Sequence, residues 1–338
     1  MNKIHTLFIV ALGCFLLAAC SDDSFTEKVS SVKVTSATTV IGASGGSGKI
    51  VVNTPSKISA YSADAWLKVE TSADTVIVSA DINTSLSTRN TTVVVKSGVD
   101  STVVNVSQYG MVVALSSSGV VSFGDAASSQ RLRLKKNVPV KFSSNADWIT
   151  CDVSNDSLQV TTTQNSTGNP RAAYLKYTYG SSSDSIKVVQ GEISDIAGEW
   201  SLVGTNPSSS QEEAYDVNIT PNASGDSLNI DLSGFILHAA YTNNQIVLNG
   251  GDYIGTYGPY YMYLCMYDSN AGYLSWNTSV TYAADFSQEG AYHVYSFDDT
   301  GSWSGYSVNG LKLGASSTTP SITYKGNILS LTDVYLYR

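Results

Sequence analysis

The chain has 338 residues, enough for two or three domains that each bury a core, and only 14% of them are charged. Ser, Thr, Gly, Val and Tyr are abundant, and no window after residue 20 sustains a 3.6-residue apolar period, so an all-β protein is expected and a helical one excluded. Net charge is −9: residues 1–191 hold 16 Lys and Arg against 13 Asp and Glu (net +3), and residues 192–338 hold 3 against 15 (net −12). The C-terminal part therefore lacks the clustered cations that nucleic acid requires, and no nucleic-acid partner is expected.

In chain order, Lys3 precedes an apolar run of 13 residues, Leu7 to Ala19. That run is shorter than the roughly 20 residues that span a bilayer and has the length of a secretory leader. Its end, Leu17-Ala18-Ala19-Cys20, resembles the bacterial lipobox, whose processing cuts before the cysteine and acylates it. An ordinary signal peptide cleaved nearby is the alternative. Each buried methylene contributes about 0.8 kcal/mol, so a multiply acylated Cys20 anchors stably. Ser21-Asp22-Asp23 is similar to the surface-export signals of Bacteroidetes lipoproteins. Residues 1–19 are read as leader, 20–29 as a linker carrying the lipid, and the location as the outer membrane, facing outward.

A tandem repeat follows. Trp66, Arg89 and Gln108 recur as Trp148, Arg171 and Gln190, each 82 residues later, and Ile50/Leu132, Val52/Leu134, Asn83/Asn165, Val104/Ile186 and Val106/Val188 keep the same offset. In the first copy, strands are expected at 49–53, 57–61, 67–70, 75–79, 91–96 and 102–108, with the glycine-rich 42–48 as a loop. Six or seven strands in about 80 residues imply a small Ig-like β-sandwich, at 30–110 and again at 111–191. The short link 109–114 predicts a stiff pair.

Ala65-Trp66-Leu67, Asn83 with Arg89, and Val104-x-Val106-x-Gln108 are repeated as Asp147-Trp148-Ile149, Asn165 with Arg171, and Ile186-x-Val188-x-Gln190. At these residues the chain resembles the BACON family (Bacteroidetes-associated carbohydrate-binding, often N-terminal). The resemblance implies glycan binding, but the residue types read as structural: a tryptophan opening a strand as core, the arginines anchoring a turn or covering an aromatic, the glutamines bonded to backbone. The two copies are therefore read first as a rigid spacer.

Residues 192–338 hold 16 of the 21 tyrosines and three of the five tryptophans. Tyr215, Val217 and Ile219 alternate with Asp216, Asn218 and Thr220, and Leu228, Ile230 and Leu232 with Asn229 and Asp231, with Asn243-Asn244 as a hairpin turn into 245–248. Further strands are expected at 260–267, 273–276, 279–284, 291–296, 321–324 and 328–337. About nine or ten strands joined by short turns predict a closed antiparallel up-and-down barrel, which leaves no free edge; a third sandwich is the alternative. The start Gly198-Glu199-Trp200 resembles that of lipocalin-like (calycin) barrels.

In 255–267 the residues Met262, Leu264 and Met266 share one face, read as core, and Tyr261, Tyr263, Cys265 and Tyr267 share the other. Tyrosine rings with polar tips suit stacking on sugars, so Tyr257, Tyr260, Tyr261, Tyr263, Tyr267, Trp276 and Trp303 are the candidate ligand contacts. Glycoside hydrolysis needs two carboxylates roughly 5–5.5 or 6.5–9.5 Å apart. Nothing in the spacing pairs Asp252, Asp285, Glu289, Asp298 or Asp299, and no nucleophile-elbow pattern accompanies His238 or His293. Asp268 to Gly272 begins like a calcium loop but lacks its later ligands and reads as a hairpin turn. Cys151 and Cys265 fall in different domains, so no disulfide is expected. The chain is thus read as a non-catalytic surface lipoprotein with no metal or cofactor, binding a neutral glycan or, alternatively, docking on another surface protein.

Overall fold

The computed structural model describes residues 31–117 and 119–338. Cys20, the leader and the linker lie outside the described residues. The protein is all-β. The first repeat contains β1 (Lys33–Thr38), β2 (Val40–Ile41), β3 (Gly46–Asn53), β4 (Ile58–Ser62), β5 (Leu67–Ser72), β6 (Thr75–Ala80), β7 (Arg89–Ser97) and β8 (Asp100–Gln108). The second contains β9 (Val113–Leu115), β10 (Val120–Phe123), β11 (Ser128–Lys136), β12 (Lys141–Ser144), β13 (Ile149–Ser154), β14 (Ser157–Thr162), β15 (Arg171–Tyr179) and β16 (Ser182–Gln190). The glycine-rich segment is a loop only as far as Gly45, because β3 begins at Gly46.

The chain divides into two compact units. One comprises residues up to Thr39, Ser47–Ser79 and Thr91–Val106; the other comprises Val40–Gly46, Ala80–Asn90 and Ser107–Arg338. In the first unit every second residue turns inward: Ile50 and Val52 of β3, Val76 and Val78 of β6, Val93 and Val95 of β7 are all buried. In the second unit the second repeat pairs its strands in the orders β13-β14-β11-β9 and β10-β16-β15-β12. Between these sheets lie Val121, Phe123, Leu132, Ile149, Leu158, Val160, Leu175, Ile186 and Val188.

A single 3-10 turn, Ile193–Ile196, leads into the C-terminal strands. These are β17 (Gly198–Asn206), β18 (Gln211–Pro221), β19 (Ser227–Leu232), β20 (Phe235–Thr242), β21 (Gln245–Asn249), β22 (Tyr253–Tyr257), β23 (Tyr260–Asp268), β24 (Tyr273–Ser275), β25 (Thr281–Glu289), β26 (Tyr292–Asp299), β27 (Gly310–Ser316) and β28 (Tyr324–Tyr337). Strands β17 to β21 run as a meander, β25, β26 and β28 continue the wall, and Leu336 of β28 pairs with Leu202 of β17 to close an eight-stranded antiparallel barrel. The Asn243-Asn244 turn has positive φ at both residues (53° and 60°), the geometry of a two-residue hairpin. Gly204 lies where β17 meets the far end of the sheet; a Cβ there would sit 3.0 Å from both Leu331 Cβ and the Thr332 carbonyl.

Two differences from the expected meander matter. Strands β22 and β27 are additional, and β22, β23, β24 and β27 leave the barrel wall as a side sheet in the order β27-β23-β22, with β24 on β23. The first part of β28 pairs with β27 and its last part with β26 and β17, so 14 residues of one strand serve both structures. The barrel interior is a packed core: Trp200, Tyr282, Phe286 and Tyr295 are buried with Leu202, Ile219, Leu228, Ile230 and Leu336. Met262, Leu264 and Met266 of β23 belong to the same cluster, as their shared face predicts.

Within the second unit the repeat and the barrel are joined. Val189 and Ile196 lie in the barrel's core cluster, with Val120 and Ala172 packed on it. Ser122 Oγ donates to the Asn243 carbonyl (2.6 Å), and Asn244 Nδ2 to the Phe123 carbonyl (3.1 Å). Arg338 stacks 4.4 Å over Trp200 and donates to Asn169 Oδ1 (2.9 Å) and the Asp195 carbonyl (2.7 Å).

Candidate functional site

The residues shared by the two repeats form buried polar hubs. Gln190 is fully buried; its Oε1 accepts from Arg171 Nε (3.0 Å) and Nη2 (2.7 Å), and its Nε2 donates to the carbonyls of Gly124 (3.0 Å), Asp125 (3.2 Å) and Thr163 (3.0 Å). The Arg171 guanidinium covers the half-buried Trp148 ring at 4.4 Å. Gln108 repeats the arrangement, accepting from Arg89 Nε (2.9 Å) and Nη2 (2.7 Å) and donating to Gly42 (3.1 Å) and Asp81 (2.8 Å) carbonyls. Trp66 is half-buried. An amide whose polar atoms are all engaged inside the fold has nothing left for a ligand.

Exposed aromatics gather instead on and beside the side sheet, while Tyr61, Tyr109, Tyr174 and Tyr292 are exposed elsewhere. Its inner face is apolar, so the alternate residues of β23 lie on its other face: Tyr261 and Tyr267 half-buried there, Tyr263 and Cys265 buried under their neighbours. Tyr253 of β22 lies directly opposite Tyr263, which lies opposite Gly314 of β27. Gly314 leaves a gap that the Tyr324 ring fills: a Cβ there would meet Cys265 Sγ at 2.8 Å and the Tyr324 ring at 3.4 Å. Trp276 then stacks on Tyr324, ring centroids 6.0 Å apart and planes at 26°. Tyr253 contacts Tyr263 (5.6 Å) and Tyr261 (6.5 Å). The result is an aromatic row made of two contacting groups, Tyr261–Tyr253–Tyr263 and Tyr324–Trp276, that adjoin at Gly314; Tyr253, Trp276 and Tyr324 are 46%, 38% and 36% exposed.

The row is held from behind. Tyr263 is only 5% exposed and its hydroxyl is bonded to Thr319 Oγ1 at 2.6 Å, so this candidate supports the row more than it faces solvent. Tyr267 is covered by Lys312 Nζ, 3.9 Å from the ring centroid. The Tyr324 hydroxyl donates to Asn327 Oδ1 (2.9 Å). Burial pushes the Cys265 thiol up to about 12, and burial also lowers the Lys312 pKa. Cys265 and Cys151 are both free thiols.

Tyr257 and Tyr260 flank the β22–β23 turn and are exposed, paired directly across from each other. Trp303 does not join them. It packs on the core and against Tyr306 (4.8 Å), which meets Tyr273 (5.1 Å), a second, smaller aromatic group. Tyr253 and Tyr324 are site residues that the sequence reading did not select. Tyr324 reaches the row only through the β23–β27–β28 pairing, which no local spacing announces.

The carboxylates are engaged separately. Asp252 accepts from His238 Nδ1 at 3.0 Å and from its backbone N–H at 2.9 Å, and Asp285 accepts from Gln245 Nε2 at 2.8 Å. Among the described residues no hydroxyl is bonded to the other His238 ring nitrogen. Asp268 holds a hairpin turn, accepting from the Ala271 and Ser307 N–H groups (2.9 and 3.0 Å), which keep its carboxyl below the usual range. Among the described residues no three His, Cys, Asp or Glu side chains cluster as metal ligands.

The BACON family model, described as "Putative binding domain, N-terminal", matches residues 56–109 and 138–191. No curated protein matches the chain. Solved structures that resemble parts of it include an endo-fucoidan hydrolase of glycoside hydrolase family 107 (12% identity, 52% of this chain and 30% of that one, TM-score 0.25). Others are the titin I9–I11 tandem (8% identity, 84% and 97%, TM-score 0.33) and titin Z1Z2 in complex with telethonin (8% identity, 48% and 97%, TM-score 0.21). The chain spans under a third of the hydrolase, and at these TM-scores the likenesses carry no argument about fold or activity. The repeated hubs and the two family matches coincide: residues 56–109 and 138–191 are two tandem BACON domains, followed by a closed eight-stranded barrel.

Proposed function

We propose that this protein is a lipid-anchored outer-membrane protein, facing outward, that binds a neutral glycan on the aromatic row of its barrel's side sheet. The observation that carries the reading is the exposed run of Tyr253, Tyr324 and Trp276 on a sheet whose other face is core. Flat apolar rings with polar tips match the C–H faces and hydroxyls of a pyranose, and a row matches several linked sugars. The two BACON domains, described by their family as binding domains, serve as a spacer, since their shared residues are used internally.

Isothermal titration of the purified protein against a panel of neutral plant and mucin glycans tests this. Binding that falls about tenfold or more in Trp276→Ala and in Tyr324→Ala supports it, a loss in line with removal of one stacking contact. No binding to any neutral glycan, together with a stoichiometric surface-protein partner that sugars do not displace, replaces it with a docking role. Cys20→Ala is expected to release the protein from the membrane, and a variant that remains membrane-bound overturns the anchor.

A further inference from the structure

We infer that the outer face of the second BACON domain is a binding surface for a linear acidic polysaccharide, contacted by Arg131, Arg133 and Lys135. These three alternate with the buried Leu132 and Leu134 on β11, so all three point outward from one strand. Successive side chains on one face of a strand stand about 7 Å apart, which makes a straight row of three cations about 14 Å long. None of the three has an ion-pair or side-chain hydrogen-bond partner among the described residues. Beside the row, where β9 pairs with β11, a cavity of about 570 Å³ is lined by Leu115, Ser116, Arg133, Leu134, Lys135 and Asp156.

The internal duplication acts as a control. At the 82-residue offset the first domain has Lys49, Val51 and Asn53 in place of Arg131, Arg133 and Lys135. The fold therefore does not require the row: a sandwich of the same pattern forms with one cation there instead of three. Residues 111–191 hold eight Lys and Arg against five Asp and Glu, and three of those cations stand in line on this one strand.

The surroundings select the polyanion. Across β14 the same face presents Ser157, Gln159 and Thr161, opposite Arg133, Arg131 and Ser129. Hydroxyls and amides beside guanidinium forks match a polymer carrying hydroxyls together with sulfate or carboxylate groups. These strands place no aromatic or large apolar side chain on the face that could insert into a bilayer. Asp152, two strands away in line with Arg131, and Asp156 at the cavity limit the positive field to the row, too narrow for duplex nucleic acid.

The test is binding of the purified protein to heparin and to polygalacturonate at about 50 and about 300 mM salt, since screening distinguishes a charge contact. The comparison variant is Arg131→Ser/Arg133→Ser/Lys135→Ser, with thermal unfolding confirming that all three exposed changes leave the fold intact. Expected are binding at low salt that weakens as salt rises, and affinity lower by about tenfold or more in the triple variant. Lys49→Ser should stay near the parent value. The inference is overturned if the parent protein binds neither polymer at low salt, or if the triple variant keeps its affinity. It is also overturned if anionic phosphatidylglycerol vesicles or duplex DNA bind more tightly than both polysaccharides. The row lies on residues separate from Tyr253, Trp276 and Tyr324, so failure here leaves the neutral-glycan reading untouched, and the reverse.

Discussion

Replacing Gln190 tests whether the BACON signature residues build the domain or meet a ligand. Gln190→Ala removes one acceptor shared by two Arg171 donors and one amide that satisfies three carbonyls. A hydrogen bond to a charged group contributes about 1.5–3 kcal/mol, and stranding buried carbonyls adds to that, so a loss of about 3–5 kcal/mol is expected. Hydrogen exchange resolved to peptides covering β15 and β16 reads the opening of this domain separately from the barrel. Gln190→Glu sharpens the test. A carboxylate keeps a partner for Arg171 but turns an oxygen toward the carbonyls of Gly124, Asp125 and Thr163, so it should also destabilise. A loss below about 1 kcal/mol in Gln190→Ala, or parent-like stability in Gln190→Glu, refutes the hub argument.

Gly314→Ala should displace the buried Cys265 Sγ, which the new Cβ would meet at 2.8 Å, and so disturb the sheet under the aromatic row; neutral-glycan titration should show weakened binding while circular dichroism shows a retained fold. The Cys265 thiol, buried and pushed up to about 12, should resist an aromatic disulfide reagent near pH 8 until the protein unfolds, while the half-buried Cys151 reacts earlier. Asp268 has a depressed folded pKa through its bonds to the Ala271 and Ser307 N–H groups. Its contribution is therefore whole above about pH 4 and is lost as pH falls through the depressed value. Asp268→Asn should lower stability at neutral pH and flatten that acid loss, read by urea unfolding at several pH values.

Strand positions were legible wherever apolar residues alternate with polar ones, as in 75–79 and 228–232, because one buried face imposes a period of two. The turn at Asn243-Asn244 was legible because two adjacent asparagines tolerate positive φ. Strand β27 was not: Gly310-Leu311-Lys312-Leu313-Gly314-Ala315-Ser316 holds glycines that weaken a strand signal, yet Gly314 is there because a Cβ would meet the buried Cys265 Sγ at 2.8 Å. Strand β22 was hidden by the register shift at Gly255. The tyrosine row was legible as a face of one strand, but not its composition. Tyr263 sinks below the surface and Tyr324 arrives from a strand some sixty residues on, both decided by pairing between distant segments.

Strand β28 contributes Tyr324 to the aromatic row at one end and closes the barrel with Leu336 at the other. On the proposed glycan reading, ligand occupancy and barrel closure are linked equilibria, because a molecule that favours an ordered Tyr324 restrains the strand whose release would open the wall. Slower amide exchange at 335–337 on saturation would report that linkage at residues the ligand never touches. The barrel is in this sense a spring behind the row, and its resistance to opening sets how firmly the row is presented.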